Sequence, residues 1–328
     1  MAAAQPISVV VPLYNKAAHI RRALSSILAQ SVTDFECIVV DDGSTDPGAE
    51  IVESISDPRV RLIRQANRGV SAARNRGVSE SRYSMVAFLD ADDEWKHYFL
   101  EAISALILDM PTCGAYATAY TIVEPQGTEW PVRLPSLPPH PWSGILTNYF
   151  RAAQYDPPVC ASAVCLRKEA LIEIGMFPLG ERLGEDLDTW CRLALDFPIA
   201  YTTACCARYH RESSNRACDH RPHDHEYRLI ETLDLAIRGV RRTARAEGHL
   251  ISDLIEYRNK KLIECAAANV VAFDTARARF YLRGSATTRA WQKQWWFWYV
   301  LSGFPSSLLR GAVRVRRNLR KLTTWLMS

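Results

Sequence analysis

The stretch FECIVVDDGSTD, residues 35–46, decides how the chain is to be read. Its first half is, apart from Glu36, an apolar run with no alternation, the pattern of a strand covered on both faces in a parallel sheet. Its second half stops the strand abruptly with two acids, a glycine and three more small polar residues, a turn signal. Working outward, the same pattern recurs. ISVVVPLYNK (7–16) is a β-branched run ending in polar residues, and MVAFLDADD (85–93) is a third, closing on three aspartates. Between them, residues 16–30 carry Ile20, Leu24, Ile27 and Leu28 at helical spacing, and residues 70–79 read as another helix. Residues 60–64, 115–123 and, farther on, 161–166 add strands, and residues 95–108 add a helix. Strands separated by helices imply an α/β fold with a mostly parallel sheet and right-handed crossovers.

In such a sheet, ligands sit in the crevice beyond the carboxyl ends of the strands. Pro12-Leu13-Tyr14-Asn15, Asp41-Asp42 and Asp90-Ala91-Asp92-Asp93 all fall there. Any one aspartate pair after a strand is also what a simple turn or helix cap looks like. Three clusters along one edge concentrate negative charge that a cation or hydrogen-bond donors must offset. A hard divalent ion bound by one or two carboxylates and by substrate phosphate oxygens would do so. Arg68, Arg74 and Arg76, in NRGVSAARNRG (67–77), supply basic partners suited to a diphosphate.

Taken together, VVVPLYNK (9–16), VVDDGSTD (39–46), NRGVSAARNRG (67–77), FLDADD (88–93) and LGEDLDTWCRLA (183–194) resemble the family 2 glycosyltransferases of the GT-A fold, over residues 7–210. The resemblance implies a nucleotide-diphospho-sugar donor, with a UDP-sugar expected. Pro12, Tyr14 and Asn15 would line the donor site, with Tyr14 stacking on the base. Asp42 would accept a hydrogen bond from the base, and Arg74 would lie near the donor. Asp90 and Asp92 would form the D-x-D pair, Asp90 toward the ribose and Asp92 on Mn²⁺ or Mg²⁺. His210, at the end of the last strand (199–209), is a further candidate for the metal; a structural histidine is its plainer reading.

An inverting transfer needs a carboxylate to deprotonate the acceptor hydroxyl. Asp186 and Glu185, opening the helix expected at 187–195, are the candidates, with Asp186 ahead. Acids in a first helical turn are also favoured simply by the helix dipole. Asp188 is a weaker candidate that fits a solvated face equally well, and Trp190 and Arg192 read as structural. Lys16 either caps a helix or touches donor phosphate. His220, His223 and His225 show no strong zinc spacing, and a solvated loop is the simpler account.

The chain's 328 residues carry a net charge of +4 that divides unevenly. Residues 275–328 hold eleven basic residues, no acid and five of the nine tryptophans, which leaves residues 1–274 at −7. Residues 1–215 are expected to form the catalytic domain and 216–328 a helical extension; six prolines in 124–142 mark a loop. WQKQWWFWYVLSGF (291–304) is too short to span a bilayer. Beyond it, Leu308, Ala312, Val315, Leu319, Leu322 and Leu326 fall on one helical stripe, with Arg310, Arg314, Arg317 and Lys321 opposite. Tryptophan beside a basic amphipathic helix suits an anionic membrane surface; packing on the catalytic domain or a second subunit is the alternative. No signal peptide is expected from the opening residues, and the nine cysteines, with no CxxC, suit reduced core thiols. The expected location is therefore cytoplasmic, peripheral to the inner membrane face. The expected acceptor is a glycan or lipid-linked hydroxyl.

Nucleic acid is not an expected partner, since the acidic body would repel it. Of the rivals, a nucleotidyltransferase would need a glycine-rich, lysine-bearing phosphate loop that VPLYNK lacks. A non-catalytic sugar-nucleotide- or membrane-binding protein that keeps the fold would have little use for Asp42, Asp90, Asp92, Glu185 and Asp186 together.

Overall fold

The computed structural model describes residues 5–181, 183–213, 228–242 and 248–304. The chain divides into two compact units, Met1–Tyr149 with Asp156–Ala217, and Phe150–Tyr155 with Cys218–Ser328.

The first unit follows the alternation expected from the sequence. Its elements in order are β1 (Ile7–Leu13), α1 (Ile20–Leu28), β2 (Phe35–Asp41), α2 (Gly48–Glu53), β3 (Val60–Arg64), α3 (Val70–Glu80), β4 (Met85–Phe88), β5 (Glu94–Trp95), α4 (Phe99–Asp109) and β6 (Ala115–Val123). Then come β7 (Glu129–Pro131), β8 (Ser143–Ile145), β9 (Val164–Arg167), α6 (Lys168–Glu173), α7 (Glu185–Asp196) and β10 (Ile199–His210), while α5 (Tyr149–Ala152) falls in the second unit from Phe150 on. Among the described residues the sheet has ten strands, in the order β3-β2-β1-β4-β9-β6-β10-β5, with β7 on β6 and β8 on β10. β3, β2, β1 and β4 are mutually parallel, and so are β6 and β10. β9 runs antiparallel to both β4 and β6, which makes the sheet mixed. Because β9 reverses direction twice over, β6 and β10 point the same way as β4. The carboxyl ends of β1, β2, β4, β6 and β10 therefore share one edge.

The continuous apolar runs are buried as the pattern demands: every residue of β2, β4 and β6 is covered. Gly77 shows how tightly α3 lies on this layer, since a Cβ there would stand 2.3 Å from Val10 Cγ1. Pro12 sits in β1 opposite Val40, past the last residue that pairs with β4, so its missing N–H breaks no ladder bond.

Three expectations change in detail. The helix expected at 95–108 begins at Phe99, because Glu94 and Trp95 pair instead with Arg208 and Ala207 of β10. The Trp95 ring stacks on Phe99 at 4.1 Å, and its indole N–H donates to Ser162 O at 2.7 Å. The strand near 161–166 starts as a 3₁₀ turn, Ala161–Ala163, before β9. The proline-rich loop contains β7 and ends just before β8; both are three-residue strands, where proline is tolerated.

The second unit is helical: α8 (Arg228–Arg242), α9 (Gly248–Val271), α10 (Thr275–Gly284) and α11 (Gln292–Leu301). α9 is the centre, with α8, α10 and α11 all packed against it. Leu233, Leu254, Ala266, Ala278 and Leu282 are fully buried there. Lys260 of α9 is nearly buried, donates to the carbonyls of Ala153 (3.1 Å) and Tyr155 (2.5 Å), and lies 5.7 Å from the Trp291 ring centre. Asp274 caps α10, accepting from the Arg277 N–H at 2.9 Å. No helix among the described residues is long and apolar enough to cross a membrane. The basic stripe expected at 306–327 and the histidines at 220, 223 and 225 lie outside the described residues.

Candidate active site

The loops after β1 and β2 are laced together by short polar side chains. Asn15 adopts φ 52°, a left-handed conformation that asparagine tolerates better than most residues. From there its Oδ1 accepts from Thr45 N–H at 2.7 Å, while its own N–H donates to Ser44 Oγ at 3.1 Å. Asp46 accepts from Ala17 N–H at 2.8 Å. This lacing leaves Tyr14 at the strand end with 45% of its surface exposed. A broad aromatic face is thereby presented at the crevice.

Asp42 is buried and does more internal work than the sequence suggested. Its carboxylate accepts from Gln65 Nε2 (2.7 Å), Arg68 N–H (2.9 Å) and Gly69 N–H (2.8 Å). A carboxylate offers about four lone-pair directions, so roughly one remains for a ligand. Gly69, at φ 88°, starts α3.

Arg74 of α3 is the electrostatic centre. It is 3% exposed, with one Nη donating to Asp90 Oδ1 at 2.8 Å and the other to Glu185 Oε1 at 2.9 Å. Its guanidinium also lies 5.3 Å from the Phe177 ring centre. Burial alone would lower its pKa. Asp90, Glu185 and Asp186 more than reverse that, so the guanidinium stays charged. Two candidates far apart in sequence, Asp90 and Glu185, are thus joined through one side chain.

Asp92 and its neighbours divide in role. Asp92 Oδ2 holds the Lys16 ammonium at 2.6 Å, and Lys16 also donates to Ser213 Oγ. Asp93 is buried; it accepts from Ser162 O–H at 2.5 Å and from His210 N–H at 2.8 Å. Burial, reinforced by Asp92 and Asp90, pushes its carboxyl well up from the usual range. His210 reaches the same turn by its backbone, but its ring faces Glu94 (3.5 Å) and Glu212 (3.9 Å). The nearby His210 ring, aided by Arg208 and working against burial, holds the Glu94 carboxyl low. Among the described residues no group of three or more His, Cys, Asp or Glu forms a ready cation cage. The residues do suit an ion that takes one or two carboxylates and completes its shell with phosphate oxygens. Asp92 already binds a cation through the same oxygen chemistry.

Glu185 and Asp186 are adjacent but unlike. Glu185 is buried and committed to Arg74. Asp186 is half-buried, and one of its oxygens accepts from Leu187 N–H at 2.7 Å. Burial first, and then repulsion from Glu185, push its carboxyl up to about 7, against the pull of Arg74. It opens onto a cavity of about 210 Å³ bounded by β6, β10 and the 156–160 loop. The solvated reading of Asp188 does not hold: it is 1% exposed and paired with Arg192 Nε at 2.8 Å. Arg192 in turn donates to the carbonyls of Ile174 and Met176, and Trp190 is fully buried, so both are structural. Lys16, Asp93, Ser162 and the cavity walls complete the neighbourhood. Lys16, directly after Tyr14-Asn15, and Asp93, within Asp90-Ala91-Asp92-Asp93, carried a sequence signal; Ser162 and the cavity walls carried none.

Solved structures share this architecture. A Staphylococcus aureus TarS fragment, residues 1–349 in complex with UDP-GlcNAc, superposes with a TM-score of 0.65 at 19% identity, covering 88% of this chain and 78% of that one. The fold is therefore GT-A. Among curated relatives, the uncharacterized glycosyltransferase YibD of Escherichia coli (strain K12) is 40% identical over 115 residues, 33% of each protein. Glycosyltransferase GlyA of Streptococcus pneumoniae serotype 4 is 37% identical over 123 residues, 37% of this chain and 18% of that protein. These matches span a third or less of the relatives' length. The family model for glycosyl transferase family 2 covers residues 8–175, more than half of the chain and all of the strand ends described above except that of β10, and to this family the chain belongs.

Proposed function

We propose that the protein transfers a glycosyl unit, with inversion, from a nucleotide-diphospho-sugar to an acceptor hydroxyl of a glycan or lipid-linked glycan. The observation that carries the reading is Asp186: a carboxyl raised to about 7, facing a cavity and backed by the Arg74 centre that also holds Asp90. A general base works best with a pKa near the working pH. The acceptor proton passes to the Asp186 carboxylate. The acceptor oxygen then forms the new bond to the anomeric carbon, while the bond to the diphosphate breaks and its electron pair leaves on the nucleoside diphosphate. Glu185 positions Arg74 and so acts through it. Tyr14 supplies a stacking surface for the base, and Pro12, Asn15 and Asp42 shape the donor pocket. UDP is the proposed nucleotide, in keeping with the UDP-GlcNAc bound by TarS.

Mn²⁺ or Mg²⁺ at Asp92, with His210 nearby, would neutralise charge building on the departing diphosphate. Lys16 would yield Asp92 to that ion.

The helical unit is proposed to rest on an anionic membrane, placing the enzyme at the inner face of the cytoplasmic membrane. α11 exposes Trp296, Phe297, Tyr299 and Val300, with Phe304 just beyond, in a region without acids after Asp274. Such a face suits the headgroup boundary.

The test is transfer from UDP-sugars in the presence of Mn²⁺, comparing wild type with Asp186→Asn. A fall in kcat of about 10²–10⁴ with UDP binding intact is expected for loss of a general base. Equal transfer by the two proteins removes Asp186 from that role.

A further inference from the structure

The cavity beside Asp186 says something about the acceptor itself. Tyr120, Ile122, Pro157, Val159, Cys160 and Tyr209 form most of its wall. The Tyr120 hydroxyl donates to Pro157 O at 2.9 Å, which fixes that ring. Tyr209 stands edge-on to it, with centroids 6.4 Å apart and planes at 71°. The wall is thus rigid and largely apolar, with its polar groups confined to a few places, as in sites for small ligands.

Two of its three charges are answered by residues behind the lining. Arg211 donates to Glu124 Oε1 at 2.8 Å. Asp156 accepts from Arg133 N–H at 2.8 Å, and the Arg133 guanidinium lies 3.7 Å away. The positive end of α7 is met by its own first-turn acids, Glu185, Asp186 and Asp188. A phosphate group is held by arginines in bidentate, charge-assisted pairs. Among the described residues the one lining arginine, Arg211, already serves a carboxylate, and two further carboxylates, Asp156 and Asp186, line the same space.

We infer that the cavity receives an uncharged sugar ring, its C–H face against Tyr209 and its reacting hydroxyl toward Asp186, and that it excludes phosphate-bearing polyols. The inference rests on the glycosyl-transfer reading above, and it narrows that reading's glycan acceptor to one whose reacting ring carries no charge. Tyr209 is then a specificity-determining residue on β10, one position before His210.

Saturation-transfer NMR on the full chain, irradiating aromatic protons, tests this directly. The probes are methyl β-glucoside and methyl N-acetyl-β-glucosaminide against glycerol 3-phosphate and ribitol 5-phosphate, each added with UDP. Ring C–H protons of a methyl glycoside should gain saturation, and the phosphates should not. In Tyr209→Ala the signal should fall about fivefold, the scale of one aromatic contact. In Tyr209→Phe it should persist. UDP signals retained in Tyr209→Ala show that the variant is folded. Saturation of the phosphates equal to that of the glycosides overturns the inference, as does an unchanged glycoside signal in folded Tyr209→Ala. UDP binding without any glycoside signal defeats the acceptor assignment alone, whereas wild type that binds neither UDP nor UDP-sugars defeats the transfer reading itself.

Discussion

Both units of this protein bury paired charge, Lys260 in the helical one included, but they treat large apolar surface differently. In the sheet unit, charge is buried and answered: Arg74 is 3% exposed between two carboxylates, and Asp188 is 1% exposed against Arg192. In the helical unit, large apolar side chains face outward, with Phe280 71% and Trp296 56% exposed. Buried ion pairs are costly to assemble and contribute little net stability, so a chain that keeps them is using them to hold groups in place. Exposed aromatic clusters cost solubility and point to a surface that something else covers. The comparison therefore separates a unit that fixes geometry from one with an aromatic surface proposed above to meet a membrane.

The largest break in this contrast should come from Arg74→Met. It leaves Asp90 and Glu185 without their cation, and the loss is expected at about 3–5 kcal/mol in denaturant unfolding of the sheet unit, as for other broken buried pairs. A loss under about 1 kcal/mol would mean that water already screens the centre.

The next effect is in pH. As a base, Asp186 works ionised, so kcat/KM should climb with pH through about 7 and level off above it, and Asp186→Asn should abolish that limb. Stability should move the other way. A carboxyl raised on folding from its ordinary 3.8 is held protonated by the native state, and stability is lost as pH climbs from about 4 to 7. Asp186→Asn should therefore raise Tm by a few degrees at pH 8 and by less at pH 5, measured by calorimetry. An equal gain at both values would trace the effect to packing.

The smallest effect sharpens the other side of the comparison. Trp296→Ser with Phe297→Ser should lower co-sedimentation with phosphatidylserine vesicles several-fold, while transfer to a water-soluble acceptor stays the same. Raising salt should weaken the wild-type association, because its basic component is screened over about 10 Å at 0.1 M. Undiminished sedimentation of the double variant at both salt levels would assign the aromatic face to a protein contact.

What could be read from sequence was local. The strand ends at Leu13, Asp41 and Phe88 were legible because each apolar run and its polar stop lie within about ten residues. The parallel order then put their motifs on one edge. The reversed direction of β9, itself expected as a strand, and the two-residue β5 were not legible, since both depend on partners far along the chain. The same holds for the cavity, whose walls come from β6, β10, α7 and the 156–160 loop. It holds again for Lys16, whose partner Asp92 is 76 positions away. Glu185 and Asp186 were flagged as a pair. What separates them is the reach of Arg74, a side chain 111 positions from Glu185.

That guanidinium has a practical consequence for anyone who would redesign the enzyme. Asp90 is the proposed neighbour of the donor, Glu185 sits next to the proposed base, and both lean on the same five N–H groups. A change made to admit a new sugar nucleotide at Asp90 will redistribute those bonds and shift Glu185, and with it the field felt by Asp186. Donor range and acceptor reactivity are in that sense one adjustable quantity. Variants selected for either should be screened for both.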